Sequence, residues 1–331
     1  MRTPKCNEIQ YIDFLIASPV AASCCEASRS DPRRFTPAAH DSYNRLLHRL
    51  EPDPETLYQE VEPLVDKLKG VLSLDDTTID KPYAQKIKPV CHHWSGKHHA
   101  VVKGINLISM VWNDGDLMMP VDYRVYDMSG DGKTKNDHFQ EMLDTAKKRD
   151  FKPEAVLFDS WYSSLENLKR VRAHGWIFLT RLKENRKVST DRSGHKKVSD
   201  IELSAEGTIV YLKGFGSIKV FKIVAKDGDI EYWATNDLKM DELRRLMLAE
   251  RSWAVEDYHR ILKQTCNVER CQLRSSRSQK NHIGLAIRAL VRLTWTFFKT
   301  GVSQYELKRS IVRDAVRKYR SKPAFHFETF A

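Results

Sequence analysis

Three acidic positions in this chain occupy contexts from which carboxylates can act together. Asp75 and Asp76 close the apolar run Val71-Leu72-Ser73-Leu74, and Asp159 ends the run Ala155-Val156-Leu157-Phe158. Glu256 lies in a stretch of helical period from Trp253 to Lys263. Two strand ends and a helix that present carboxylates to one point can hold a pair of hard divalent cations, for which oxygen is the right ligand and thiolate the wrong one. Two such ions about 3.5–4 Å apart activate an attacking oxygen and stabilise a leaving oxygen in phosphodiester displacement. That chemistry needs no separate nucleophilic side chain. A single acid is usually a solvated or capping group, so the argument rests on all three. Asp75 and Asp76 point to opposite sides of any strand that contains both, and the period alone does not choose between them.

On the helix, Trp253, Glu256, Arg260 and Lys263 share one face at i, i+3, i+7 and i+10, while Val255, Tyr258 and Leu262 occupy another face suited to the core. Basic residues crowd the segment 251–288: Arg251, Arg260, Lys263, Arg270, Arg274, Arg277, Lys280 and Arg288, against Glu256, Asp257 and Glu269. Such an excess suits contacts to a phosphate backbone, although a solvated basic face has the same composition. Arg181, Lys183, Arg186 and Lys187 form a second strip. Trp161 and Tyr162 directly follow Asp159, where an aromatic ring could stack on an unpaired base or simply pack. Cys91-His92-His93 with His98-His99 could supply zinc ligands, but the spacing matches no common zinc module.

The elements that must position these groups follow from period and breakers. An amphipathic helix ends near Pro19, and further helices are expected over Ser42–Leu50 and about Glu55–Lys69. Strands then take over: Val71–Leu74, Val101–Trp112, and a return from Leu117 to Tyr126 after the turn Asn113-Asp114-Gly115-Asp116, with Pro120 marking an irregular or edge position. Helix Asn136–Lys148, strand Ala155–Phe158, helix Ser164–Ala173 and strand Trp176–Leu182 follow, with Gly175 as a helix stop. Residues 183–237 read as a β-rich insertion, and helices return at about Asp241–Gln264, Ile283–Lys299 and Glu306–Tyr319. The order β-β-β-α-β-α-β is that of a ribonuclease-H-like fold: a mixed five-stranded α/β sheet flanked by helices. The expected division is a helical N-terminal region over 1–70, a core over 71–182 and 238–331, and the insertion over 183–237.

The 331 residues carry a net charge of +11, which favours a polyanionic partner, nucleic acid before an anionic membrane surface. Six cysteines are too few for a disulfide framework in a chain of this length, so a reducing cytoplasm is the expected location. The apolar stretch Tyr11–Ala22 loosely resembles a signal peptide, but Glu8 and Asp13 disfavour that reading, and no run approaches a membrane span.

Leu74-Asp75-Asp76-Thr77-Thr78 resembles the first-aspartate motif of DDE insertion-sequence transposases, in which the metal-binding Asp is followed by Thr or Ser; this tips the choice toward Asp76, with Asp75 as the alternative. Val156-Leu157-Phe158-Asp159-Ser160-Trp161-Tyr162 is similar to their second-aspartate strand. Trp253 through Lys263 resembles the glutamate helix of the group with a β-rich insertion before that residue. In that group a Tyr, an Arg, the Glu and a Lys keep a fixed spacing. Lys263 fits, but Ser252 stands at the Arg position with Arg251 one residue off, and Ala249 stands at the Tyr position. In that group the Arg grips phosphate and supports a DNA-hairpin step, and this chain departs from the pattern at that position. The resemblance implies two Mg²⁺ ions, with Mn²⁺ as a substitute, held by Asp76, Asp159 and Glu256. It further implies cleavage of double-stranded DNA at transposon ends, strand transfer into target DNA, a helical N-terminal DNA-binding region and a homodimer on paired ends. Arg251, Trp253, Arg260, Lys263, Arg274, Arg277, Lys183, Arg186 and Trp161 are the expected DNA contacts. Nucleoid association would follow in a bacterial host. A stand-alone nuclease of the same fold, or a non-catalytic DNA-binding descendant, are the rival readings.

Overall fold

The computed structural model describes residues 4–19, 22–33, 35–95, 100–204, 206–225 and 228–323. In chain order the helices are α1 (Glu8–Ala17), α2 (Cys24–Arg29), α3 (His40–Arg49), α4 (Pro54–Val61), α5 (Met128–Asp131), α6 (Lys135–Lys148), α7 (Leu165–Ala173), α8 (Glu242–Thr265), α9 (Ser276–Thr300) and α10 (Gln304–Ser321). The strands are β1 (Val71–Asp80), β2 (Cys91–Ser95), β3 (Ala100–Asn113), β4 (Met118–Val125), β5 (Ala155–Phe158), β6 (Phe178–Leu182), β7 (Lys187–Val188), β8 (Lys196–Lys197), β9 (Thr208–Leu212), β10 (Gly216–Val224) and β11 (Ile230–Thr235). None of these helices is long and apolar enough to cross a membrane.

The chain divides into two compact units. One comprises residues 1–53, 83–88 and 260–331, the other 54–82 and 89–259. The first is helical. Its α1 starts at a capping box in which Asn7 and Gln10 satisfy each other's backbone N–H groups, and buries Tyr11, Ile12, Phe14 and Leu15. The Tyr11 hydroxyl meets His282 Nδ1 of α9 at 3.0 Å. Lys308 of α10 donates to the carbonyls of Leu15, Ser18 and Thr265, which closes the C-terminal ends of α1 and α8.

The second unit is built on a nine-stranded sheet of order β2-β3-β1-β5-β6-β11-β10-β9, with β4 pairing β3. β1 pairs antiparallel with β3 and parallel with β5, and β5 pairs parallel with β6. This is the expected mixed arrangement, with three differences. First, β1 does not stop at Leu74 but runs to Asp80, because the long β3 offers a partner along its whole length, from Val71↔Asn113 to Asp80↔Gly104. Both aspartates therefore lie inside a strand. Second, the sheet has nine strands and not five, since β11 of the insertion pairs antiparallel with β6 and brings β10 and β9 with it, and β2 pairs with β3. Third, the expected helix over Glu55–Lys69 is cut short at Val61 and followed by a single 3₁₀ turn over Glu62–Leu64, where Pro63 lacks the N–H a continuing helix needs. Pro120 sits where the β3–β4 register shifts, as its missing N–H requires.

One sheet face carries Val71, Ala155, Leu157, Leu179, Phe221 and Trp233 against Leu248 and Ala249 of α8. On the other, Phe139 of α6 packs edge-on to Phe158 and stacks on Tyr162. Burial of these aliphatic and aromatic side chains, each worth roughly 1.5–3 kcal/mol, fixes which way every residue of β1 and β5 faces.

Candidate active site

Period-2 geometry assigns the carboxylates to faces. Val71, Ser73 and Asp75 alternate onto the side packed by α8, as do Ala155, Leu157 and Asp159. Leu74 pairs with Phe158, so one further residue along each strand sets Asp75 beside Asp159. Glu256 comes from α8, whose Val255 and Tyr258 are buried beneath it. Asp75, Asp159 and Glu256 together line a cavity of about 30 Å³, with Ser73, Arg181, Trp233 and Ser252 among its other walls.

The two candidates for the first aspartate part company here. Asp76 faces the opposite side, and both its oxygens are taken. Oδ2 accepts from Asn106 Nδ2 at 2.5 Å and pairs with Lys135 Nζ at 2.8 Å, and Oδ1 accepts from the Tyr162 hydroxyl at 2.8 Å. Asp75 has a looser setting: His259 Nδ1 stands 3.9 Å from its Oδ2. Asp159 caps the 3₁₀ turn over Ser160–Tyr162, its Oδ1 accepting the N–H groups of Trp161 at 3.0 Å and Tyr162 at 3.4 Å.

The charges separate in the same way. Burial, then the neighbouring charges of Asp76, Asp159 and Glu256, push the Asp75 carboxyl well above the usual range. Burial and Asp76 raise Asp159 against the pull of its two backbone donors. Burial raises Glu256, with Asp257 and Asp159 adding to it and Arg181 opposing. Asp76 alone is lowered: burial works against its charge, but Lys135, Asn106 and Tyr162 outweigh it. Like charges held together raise each other's pKa, a pattern found at functional sites.

The expected DNA contacts are spread over both units. Trp161 is exposed, and Lys135 Nζ and Lys183 Nζ lie 5.7 and 5.6 Å from its ring centre. Trp253 is exposed on α8. Arg251 does not project into solvent but pairs with Glu154 at 3.0 Å, as does Arg244 at 2.7 Å. Arg186 is half-buried, and burial depresses its pKa. Within the helical unit Arg260 and Arg274 are exposed, Lys263 is half-buried, and Arg277 pairs with Glu51 at 2.8 Å. Cys91 Sγ lies 2.9 Å from His93 Nε2, while His98 and His99 lie outside the described residues. Sequence reasoning missed Lys135, Asn106 and His259 altogether, because nothing local links them to an aspartate 30 or more positions away. Tyr162, marked in the sequence for stacking or packing, packs: it is buried against Phe139 on the turn that Asp159 caps.

The donor set fits divalent cations in type and charge: carboxylates whose mutual repulsion a cation would relieve. Among the described residues, no group of three or more His, Cys, Asp or Glu side chains stands as placed to hold a metal ion.

Fold and site together define a ribonuclease-H-like protein whose acidic cleft is suited to phosphoryl transfer. Residues 66–292 match the family described as the transposase DDE domain, and the chain belongs to that family of DNA-cleaving and strand-transferring enzymes of DNA transposition. Among solved structures it is similar to a piggyBac transposase synaptic complex with hairpin DNA, with a TM-score of 0.53 at 12% identity over 96% of this chain and 73% of that one. It is also similar to a Drosophila P element transposase strand transfer complex, with a TM-score of 0.31 at 10% identity over 98% of this chain and 88% of that one. The first likeness bears on the fold alone; the second is too low to bear on it. No curated protein matches the chain in sequence.

Proposed function

We propose that this transposase cuts phosphodiester bonds at the ends of its own element and joins the freed 3′-hydroxyl to target DNA, with Asp75, Asp159 and Glu256 as the acidic ligands of the reaction. The observation behind this assignment is the shared sheet face: Asp75 and Asp159 lie side by side under the helix that carries Glu256, at one cavity. Asp76, saturated by Lys135, Asn106 and Tyr162, acts by holding β1 to the turn of Asp159. Two divalent cations, Mg²⁺ by ligand type with Mn²⁺ as a substitute, would supply Lewis-acid activation of water and of the leaving oxygen when bound. Asp75, Asp159 and Glu256 would hold them.

The remaining parts follow the charge. Trp161, with its flanking lysines, is a stacking surface for an unpaired base. Lys183, Arg186, Trp253, Arg260, Lys263 and Arg274 contact the DNA backbone, and residues 1–70 bind the element ends. Two copies pair on two ends, as joining both ends requires. Work on chromosomal DNA puts the protein in the cytoplasm, at the nucleoid in a bacterial host.

The test uses labelled duplexes that carry the borders of the element encoding this chain, incubated with plasmid target and Mg²⁺ or Mn²⁺. Joined products are expected, and Asp75→Asn, Asp159→Asn and Glu256→Gln should each abolish them. Cleavage without joining would favour a stand-alone nuclease, and inactivity of the unaltered chain a DNA-binding descendant. Full activity in Asp75→Asn would return the ligand role to Asp76.

A further inference from the structure

The row of side chains that begins with Asp75 and Asp159 does not end there. Phe158 pairs with Thr180 across β5 and β6, so the next step along each strand sets Arg181 beside Asp159, and Arg181 in turn pairs with Trp233 of β11. Leu179, two residues earlier on β6, belongs to the core on the α8 side, which places Arg181 on the same face as the acids. Arg181 is the cationic side chain among those lining the cavity of Asp75, Asp159 and Glu256. Its side chain is 39% exposed, so a ligand can reach it.

The guanidinium is held from behind by the insertion. Arg181 NH1 pairs with Glu231 Oε1 at 2.8 Å, the other oxygen of Glu231 accepts from Trp233 Nε1 at 2.8 Å, and the guanidinium lies 5.6 Å from the Trp233 ring centre. An arginine oriented this way keeps its remaining N–H donors available in a fixed fork, the geometry that suits two oxygens of one phosphate. A cation between acids that repel one another could serve only as their counter-ion. It would then need no clamp made from a different strand and no exposure.

We infer that Arg181 binds the non-bridging oxygens of the scissile phosphate, and that Glu231 and Trp233 of β11 are positioning residues that aim it. The β-rich insertion thereby contributes to the chemical step through the strand it adds beside β6. This inference rests on the acidic cleft being the cleavage site, and gives the insertion a role in it.

The experiment uses the full chain and two readouts. In EDTA, binding of a 30-bp duplex is followed by fluorescence anisotropy over a range of salt. Loss of one phosphate contact in Arg181→Ala should reduce the slope of log affinity against log salt by about one, with at most a roughly tenfold loss of affinity. With Mn²⁺, nicking of supercoiled plasmid should fall at least about 100-fold in kcat for Arg181→Ala, the scale on which a preorganised transition-state donor acts. Arg181→Lys should restore part of the rate, and Glu231→Gln should lower kcat while leaving the duplex affinity unchanged. Melting curves check folding, and if Arg181→Ala does not fold, Arg181→Gln is read in the same way. An unchanged salt slope or an unchanged nicking rate overturns the assignment. If the unaltered chain binds duplex but nicks nothing, the cleavage reading fails on its own and the salt slope alone decides on Arg181.

Discussion

The Tyr162 hydroxyl donates to Asp76 Oδ1 at 2.8 Å and so fastens the turn that carries Asp159 to the strand that carries Asp75. Tyr162 is fully buried, stacked on Phe139 at 5.0 Å, and so can move little. Tyr162→Phe keeps the stack and removes one charge-assisted bond, a loss of about 1.5–3 kcal/mol. Calorimetry should show a lower melting temperature by several degrees, and cleavage should weaken even though the acids are intact. A variant as stable and active as the parent would show that the bond does not position the site.

The acids themselves should limit stability when no cation is bound. Burial and neighbouring carboxylates raise Asp75 and Asp159 above the usual range, so their charged forms are disfavoured in the folded state and stability should rise as pH falls through those raised values. Asp159→Asn keeps an oxygen for the N–H groups of Trp161 and Tyr162 while it removes the charge. It should raise the melting temperature of the protein in EDTA, because the charge that burial and Asp76 disfavour is gone. Millimolar Mg²⁺ should raise the melting temperature of the parent more than that of the variant. An unaltered or lower melting temperature for the variant in EDTA would count against the repulsion.

Asp31 organises the segment before α3 by the opposite means. Its side chain accepts from Arg33 Nε at 2.8 Å and NH2 at 2.5 Å, from the Ala38 N–H at 3.1 Å and from the Tyr43 hydroxyl at 3.0 Å. Arg33 above all holds its pKa far below the usual carboxylate value, against burial. The folded pKa thus lies below the unfolded one of about 3.9, so the stabilisation is complete above about pH 4 and fades as pH falls below it. Asp31→Ala should cost about 2–4 kcal/mol at pH 7 by leaving buried donors without a partner. Urea titrations at pH 7 and pH 3 should show the gap narrowing at the lower pH.

Gly104 of β3 lies against β1, where an added Cβ would press on Thr78 Cγ2 and come within 2.6 Å of the Ile79 carbonyl. Backbone cannot yield as a flexible side chain can, so Gly104→Ala should cost about 1–3 kcal/mol or more. Hydrogen exchange should show the loss concentrated at the Asp76–Asp80 end of β1. Equal protection in both proteins would mean that the strands part without cost.

Much of the core was legible because it is written in local period. Tyr258 and Leu262 are buried as the helical spacing of α8 required, and the shift from helices to strands at Val71 stands where the pattern changes. Other features lacked a local sign. The extension of β1 past its apolar run depends on a partner about 30 residues away in β3, and Arg251 is turned from solvent by Glu154, 97 positions distant.

The sequence by itself determined the kinds of element, their order and three acidic positions, because side-chain period and chain-breaking residues act over a few neighbours. Only the tertiary structure decided which aspartate faces the cavity that Asp159 and Glu256 line. Asp75 and Asp76 are chemically alike and adjacent, and a strand sends them to opposite faces. The face that receives α8 is set by Val71, Ala155, Leu157 and Leu248 packing together from distant parts of the chain. The residue motif favoured Asp76, but the packing gave that side chain to Lys135, Asn106 and Tyr162, and turned Asp75 toward the cleft.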